Sequence, residues 1–338
     1  MFKLALPARS LTYAPLLVAI SRRRQASPPW DVVPLLLSGG RQVAAAVVSG
    51  VADAGAMPLG ELLKAVASGA PLIGFGAVTR RFGGHLVAAP ELDGDATSLL
   101  LGRWRAVPFG LQTGSEGSEA FLRLWWLSAG PAPDGVPQPG TGASAPGRDV
   151  SGEGLLAGDP LAGEPRWIGY GTAEGLVAAL KDGRIKAFIG PAEAAAQAMI
   201  LGGGRVVASF SGGSTAAEVS QALCTVLVAR SDRLMGASPA GGAAEAGFRT
   251  LLGACAGAAA ALATPEGRRL AAQAMPERDP LGLELALALD APGAAQSVYA
   301  PDGRLPVQAV AYHLELLALA GVRWPIDPAT VVTDRFSA

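Results

Sequence analysis

Hydrophobic residues come along this chain in short runs cut by glycine, and one such succession occurs twice. The first copy opens with the β-branched and leucine run of "PWDVVPLLLSGG", a strand pattern that ends at Ser38, Gly39 and Gly40. Residues Arg41 to Val48 then carry a helical pattern stopped at Gly50, where a left-handed cap suits glycine. "VADAGAM", Val51 to Met57, is small and apolar enough for a strand buried on both faces. In the second copy "RWIGYG" supplies the strand, Thr172 and Ala173 the loop, Glu174 to Lys181 the helix, Gly183 the stop and "IKAFIG" the returning strand. The copies superpose without a gap from Pro34 to Pro58 and from Trp167 to Pro191. Each is a β-α-β unit of the kind that joins parallel strands by a right-handed crossover. One in each half predicts two similar α/β lobes; chance likeness in an alanine-rich chain is the competing explanation.

Other segments fit the same plan. Lys3 to Pro7 predicts a strand, and "LIGFGAVTRR" and "GHLVAAP" predict strands on either side of a short connection at Phe82 to Gly84. "EAFLRLWWLSAG", Glu119 to Gly130, has the spacing of an amphipathic helix closed by glycine. Residues 131–165 are dense in Pro, Gly, Ser and Ala with little to bury, which predicts a flexible insertion. A loose stretch, "SFSGGSTAAEVSQ", precedes the strand pattern "ALCTVLVAR", and the remainder reads as helical down to "VQAVAYHLELLALAG", Val307 to Gly321.

Composition narrows the possibilities. With 338 residues the chain exceeds what one core usually serves, and half of the residues are hydrophobic, enough for two cores. Lys and Arg number 27 against 28 Asp and Glu, so no broad cationic surface is available for nucleic acid. The mean hydropathy of +0.34 comes largely from dispersed Ala, Val and Leu. The apolar stretch "TLLGACAGAAAALATP", Thr250 to Pro265, is too short and too rich in Ala and Gly to span a bilayer, so a soluble protein is expected. The opening residues read as a strand, and Arg22 to Arg24 follow the apolar run instead of preceding it, unlike a signal peptide. The sequence as written therefore implies a cytoplasmic location, or a periplasmic or extracytoplasmic one if a leader is missing from it. Cys224 and Cys255 lie in apolar surroundings with neither zinc nor disulfide spacing, and read as small buried hydrophobes.

In open α/β sheets, ligands lie beyond the carboxyl ends of the strands, where loops and helix N-termini converge. That topology singles out Ser10 and Thr12 after the first strand, Ser38 to Gly40 after the second, and Met57 with Pro58 after the third. In the other half, "LQTGSEGSEAF" places Thr113, Gly114, Ser115, Glu116 and Ser118 at a helix entrance, and Thr172, Pro191 and Glu193 take the matching strand ends. Free backbone N–H groups and the helix dipole at such places favour an anion or a polar acceptor. Each has a plainer reading: Ser115, Glu116 and Ser118 as helix caps, and Ser38 to Gly40 as a tight turn. Neither loop is a phosphate loop, since "GSEGSE" has no Lys-Ser/Thr pair and no GxGxxG.

Catalytic patterns are thin. HExxH, GxSxG and CxxC do not occur, and His85 and His313 fall in apolar strand and helix settings that suit structural roles. Glu61 and Lys64 lie on a predicted helix and read as a solvated face rather than an acid/base pair. Arg80 and Arg81 end a strand, where they either counter a ligand carboxylate or sulfonate or sit on the surface. No metal site, cofactor or catalytic residue is assigned.

The succession "KLALPARSLTYAPLLVAIS", "LLLSGGRQVAAAVVSGVADAGAMP", "ASGAPLIGFGAVTRRFGG", "GSEGSEAFLRLWWLSAG", "AALKDGRIKAFIGPAEAAAQA", "LCTVLVARSD" and "VVTDRF" resembles the nitrate/sulfonate/taurine and thiamine-pyrimidine substrate-binding proteins of ABC importers over most of the chain. The resemblance implies a type II periplasmic-binding-protein fold, two α/β lobes joined by two crossing strands and closing by a hinge over a small molecule. It implies a monomer with an ABC permease as partner. Lobe one would hold residues 1–88 and 222–338, and lobe two residues 89–221. The family's ligand loops fall on Ser10 and Thr12, Ser38 to Gly40, Met57 and Pro58, and Gly114 to Ser118. Glu116 and Glu119 depart from the neutral, donor-rich loop of anion binders, because a carboxylate repels a bound sulfonate. Enzymes resemble this fold too, which keeps a cytosolic enzyme or ligand sensor as the alternative. Thiamine-pyrimidine synthesis is disfavoured, since "MPLGELL" and "ALCTVLV" lack the lysine and histidine it uses; a menaquinone-pathway dehydratase is the other enzyme type.

Overall fold

The computed structural model describes residues 1–7, 10–24, 31–94, 107–112, 166–170, 172–210, 224–235, 241–273, 280–293, 297–319 and 323–336. These form two compact units: residues 1–82, 221–313 and 324–338 make one, and residues 83–220 and 314–323 the other.

The first unit is built on five strands: β1 (Phe2–Leu6), β2 (Val32–Leu36), β3 (Ala54–Pro58), β4 (Leu72–Ala77) and β10 (Thr225–Arg230). Their order is β2-β1-β3-β10-β4, with β1 parallel to both β2 and β3 and β10 antiparallel to β3 and β4. Helices cover both faces, which is why the strands read as near-continuous apolar runs. Leu4, Leu6, Ala54, Ala56, Phe75 and Leu227 share one core with α1 (Ala14–Arg24) and α7 (Gly241–Leu262), where Phe248 packs on Phe75 with ring centroids 5.2 Å apart. On the other face α2 (Gly40–Val48) and α3 (Leu59–Ala67) lie close: a Cβ at Gly55 would stand 2.5 Å from Val43.

The second unit repeats this order. Its strands are β5 (Gly84–Ala88), β6 (Pro108–Gln112), β7 (Arg166–Tyr170), β8 (Ala187–Pro191) and β9 (Arg205–Ser209), arranged β7-β6-β8-β5-β9. Here β6 runs parallel to β7 and β8, and β5 is the antiparallel member beside β8 and β9. Two helices, α4 (Ala173–Lys181) and α5 (Ala192–Ile200), occupy the places of α2 and α3. Shifting numbers by 133 carries α2 onto α4, β3 onto β8 and α3 onto α5 residue for residue. The same shift maps Gly50 onto Gly183, at φ 76° and 70°, the left-handed stop that alanine disfavours.

The repeat thus extends through α3 and α5, further than the sequence comparison reached. The segments ending at Pro58 and Pro191 lie in two different sheets, each third from its edge. Three boundaries differ from expectation. Strand β3 starts at Ala54, because Val51 to Asp53 form a bend in which the Ala52 N–H bonds the Ala46 carbonyl and the Asp53 N–H bonds that of Lys3. Gly84 belongs to β5, not to the connection before it. The passage between units falls at residues 82 and 83, because β5 pairs throughout with strands of the second sheet, and residues 314–323 cluster with that unit as well.

The remaining described helices are α6 (Ser231–Met235), α8 (Pro265–Gln273), α9 (Pro280–Asp290), α10 (Val307–Leu319) and α11 (Pro328–Val331). Among the described residues no single helix is long and apolar enough to cross a membrane, and α7 turns 115° into α8. The apolar stretch in α7 is a core stripe: Phe248, Leu251, Leu252, Cys255, Ala258, Ala259 and Leu262 recur at helical spacing and are buried.

Candidate functional site

In the first unit, β2, β1 and β3 are parallel neighbours, so the segments that follow them emerge at one edge of the sheet. Ser10 caps the single 3-10 turn Leu11–Tyr13, its Oγ accepting the Thr12 N–H at 3.3 Å and lying 3.3 Å from Thr12 Oγ1. That turn is tied from below: the Tyr299 hydroxyl, wholly buried, donates to the Leu11 carbonyl at 3.1 Å and lies 3.4 Å from the buried Asp290 carboxylate. Burial raises the Tyr13 phenol well above its usual range.

Ser38 precedes α2 and is bound locally: its N–H donates to Gln42 Oε1 at 2.8 Å, and its hydroxyl donates to the same oxygen. The tight-turn reading of this segment therefore describes its own bonding. Gly39 caps α2 in extended backbone without a side-chain bond, which leaves the first N–H groups of the helix without helical partners. Gly40, the first helical residue, packs on Glu61: a Cβ built there would stand 2.8 Å from Glu61 Cγ. Met57 is fully buried within β3, so its side chain belongs to the core, while Pro58 caps α3.

In the second unit Thr172 caps α4, its Oγ1 accepting the Gly175 N–H at 3.1 Å. Pro191 ends β8 opposite Gly84 and caps α5, and Glu193 lies in the first turn of that helix. Thr113, Gly114, Ser115, Glu116 and Ser118 lie outside the described residues, as does the 131–165 insertion. The candidates thus gather at the carboxyl edge of each sheet separately: Ser10, Thr12, Ser38 to Gly40 and Pro58 on the first, Thr172, Pro191 and Glu193 on the second.

One residue departs from its sequence reading. Glu61 is not on a solvated face; only 8 % of it is exposed, whereas Lys64 one turn on is half-buried. Glycine at position 40 makes the room, and the signal was in the repeat, where the corresponding positions are Ala173 and Ala194. Arg80 sits at the end of the same sheet with Nε donating to the Ser297 carbonyl at 3.0 Å. Burial, then the charge of Arg81, lowers its pKa, and Asp302 opposes them. His85 is buried in β5 with Nδ1 2.9 Å from Ser209 Oγ. Cys224 and Cys255 are free and buried, and burial pushes both thiols up to about 12, far from a reactive thiolate at neutral pH. Among the described residues no group of three or more His, Cys, Asp or Glu side chains is placed to hold a metal ion.

Solved structures share this architecture. A ligand-binding component of an ABC-type import system from Staphylococcus aureus, with zinc bound, aligns at TM-score 0.63 and 13% identity, covering 99% of this chain and 97% of its own. The alkanesulfonate-binding protein of Xanthomonas axonopodis pv. citri, bound to MOPS, aligns at TM-score 0.60 and 14% identity over 98% and 97%. The fold is that of the type II periplasmic binding proteins. The periplasmic nitrate-binding protein of Synechocystis PCC 6803 has the type II fold as well, at TM-score 0.63 and 13% identity over 99% and 86%. Neither the known protein-family models nor the curated proteins give a match. Zinc, MOPS and nitrate, the species these three names carry, are chemically unlike.

Proposed function

We propose that this protein is a solute-binding protein that captures a small polar or anionic molecule by hinge closure and delivers it to an ABC permease. The observation that carries the reading is the doubled edge: two sheets of one strand order, each presenting capped helix entrances and hydroxyl side chains beyond its parallel strands. Such edges offer oriented N–H and hydroxyl groups at fixed positions, the means by which a preformed pocket orients a small ligand. Structural neighbours named as a ligand-binding component of an ABC-type import system, an alkanesulfonate-binding protein and a periplasmic nitrate-binding protein support the same reading. Delivery to a permease places the working protein outside the cytoplasm.

A thermal-shift screen against inorganic anions, sulfonates, amino acids and amines tests it, because a solute bound only by the folded protein raises the melting temperature. Replacing Ser10 and Ser38 with leucine should abolish the rise, while the lost cap and the lost bond to Gln42 lower the ligand-free melting temperature by only a few degrees. Product formation from a stabilising compound would support the enzyme alternative instead.

A further inference from the structure

We propose that Glu61 anchors a positively charged nitrogen of the solute at the carboxyl edge of the first sheet. This rests on the solute-binding reading above and narrows its ligand to molecules bearing an amine or guanidine group.

Glu61 lacks the partner its helix position ordinarily supplies. It is the third residue of α3, where a glutamate ordinarily reaches back to the N–H of the capping residue; the cap here is Pro58, which has none. Among the described residues no hydrogen bond or ion pair reaches its carboxyl group, although 92 % of the residue is out of water. Its side chain runs onto the N-terminus of α2, the carboxyl carbon 3.6 Å from where a Gly40 Cβ would stand. The positive end of that helix offsets part of the cost of enclosing the group, and Gly39 supplies no side-chain cap.

The second unit shows what the fold itself asks for at this place. Ala194 occupies the position equivalent to Glu61 and is fully buried, and Ala173 occupies that of Gly40. Two methyl groups therefore stand at the equivalent positions, and the fold there requires no acid. The first unit instead gives up a Cβ at position 40 beside a carboxyl group that no described residue satisfies. A buried polar group without a partner is a standing loss of stability, and a partner brought from outside removes it. Among the described residues no cluster of ligating side chains surrounds it, so they offer a metal ion too few donors, and an anion would be repelled. A cationic N–H group on a small organic solute satisfies both the charge and the lone pairs.

The test uses the full chain with agmatine, putrescine and arginine as cationic probes, and nitrate and ethanesulfonate as anionic ones. Melting temperature and calorimetric affinity are measured for the parent protein, Glu61→Gln and Glu61→Ala. The expected result is binding of a cationic probe, weakened about ten- to hundredfold by Glu61→Gln, with ligand-free Glu61→Ala melting at or above the parent. Equal affinity of an anion for parent and Glu61→Gln, with no cationic binding, overturns the anchor and leaves the solute-binding reading intact. A drop of more than about 5 °C in ligand-free melting for both variants overturns it too, by making Glu61 structural. Binding of no probe of either class counts against both.

Discussion

Replacing glycine by alanine should destabilise the protein at Gly50 and Gly183 and stabilise it at Gly253 and Gly257. The first two stop α2 and α4 at φ 76° and 70°. A built Cβ meets nothing within 4 Å at Gly50 and only Lys186 Nζ at 3.8 Å at Gly183, so the cost is backbone strain without a clash. Left-handed backbone costs an L-residue about 1–2 kcal/mol, and the stiffer unfolded chain returns roughly 0.4–1 kcal/mol of that. The net loss is therefore about 1 kcal/mol at either position, or roughly 2–4 °C in the transition of the unit that carries it. Gly253 and Gly257 lie exposed inside α7, where a Cβ likewise meets nothing within 4 Å. Alanine there gains about 0.8–1 kcal/mol of helix propensity. Urea and thermal unfolding followed by circular dichroism read both signs. A neutral or stabilising Gly183→Ala beside a destabilising Gly50→Ala would refute the equivalence of the two turns.

Other substitutions probe the supports of the first edge. Tyr299→Phe removes the bond to the Leu11 carbonyl and should cost about 1–2 kcal/mol in urea unfolding, with faster hydrogen exchange at residues 10–13. Thr79→Val leaves the buried Thr225 N–H, which donates to Thr79 Oγ1 at 2.8 Å, without its acceptor; a loss of about 1–3 kcal/mol is expected. Cys224 and Cys255 should resist iodoacetamide in the native protein at pH 8 and react in urea. Because burial raises both thiols from 9.0 to about 12, stability should hold below pH 9 and fall as pH rises from there toward 12, measured as melting temperature against pH.

Where the sequence was readable, the structure-forming signal was local. A run of β-branched residues, a helix stopped by glycine and an apolar return are punctuated within two dozen residues, so both β-α-β units stand out by eye. The antiparallel strands were less accessible. "TVLVAR" announces a strand, but nothing in it says that it slides between β3 and β4, because its neighbours lie more than a hundred residues away in the chain. The division at residues 82 and 83 stayed hidden for the same reason, since only the pairing of β5 assigns it to the second sheet. Glu61 misled because a helix's outer face is inferred from charge, whereas its exposure depends on how closely α2 approaches, and that depends on the glycine at position 40. Ser38 to Gly40 read as a ligand loop or a tight turn, and the bond from Ser38 to Gln42, four residues on, is one that the sequence pattern does not disclose.

The proposed hinge closure requires that both sheet edges act on one small solute. Hydrogen exchange measured by mass spectrometry, with and without a solute that raises the melting temperature, separates this from binding at one edge alone. Added protection is expected at residues 10–13 and 38–43 of the first unit together with residues 172–176 and 191–194 of the second. Protection confined to one unit, or falling away from these strand ends, would contradict it.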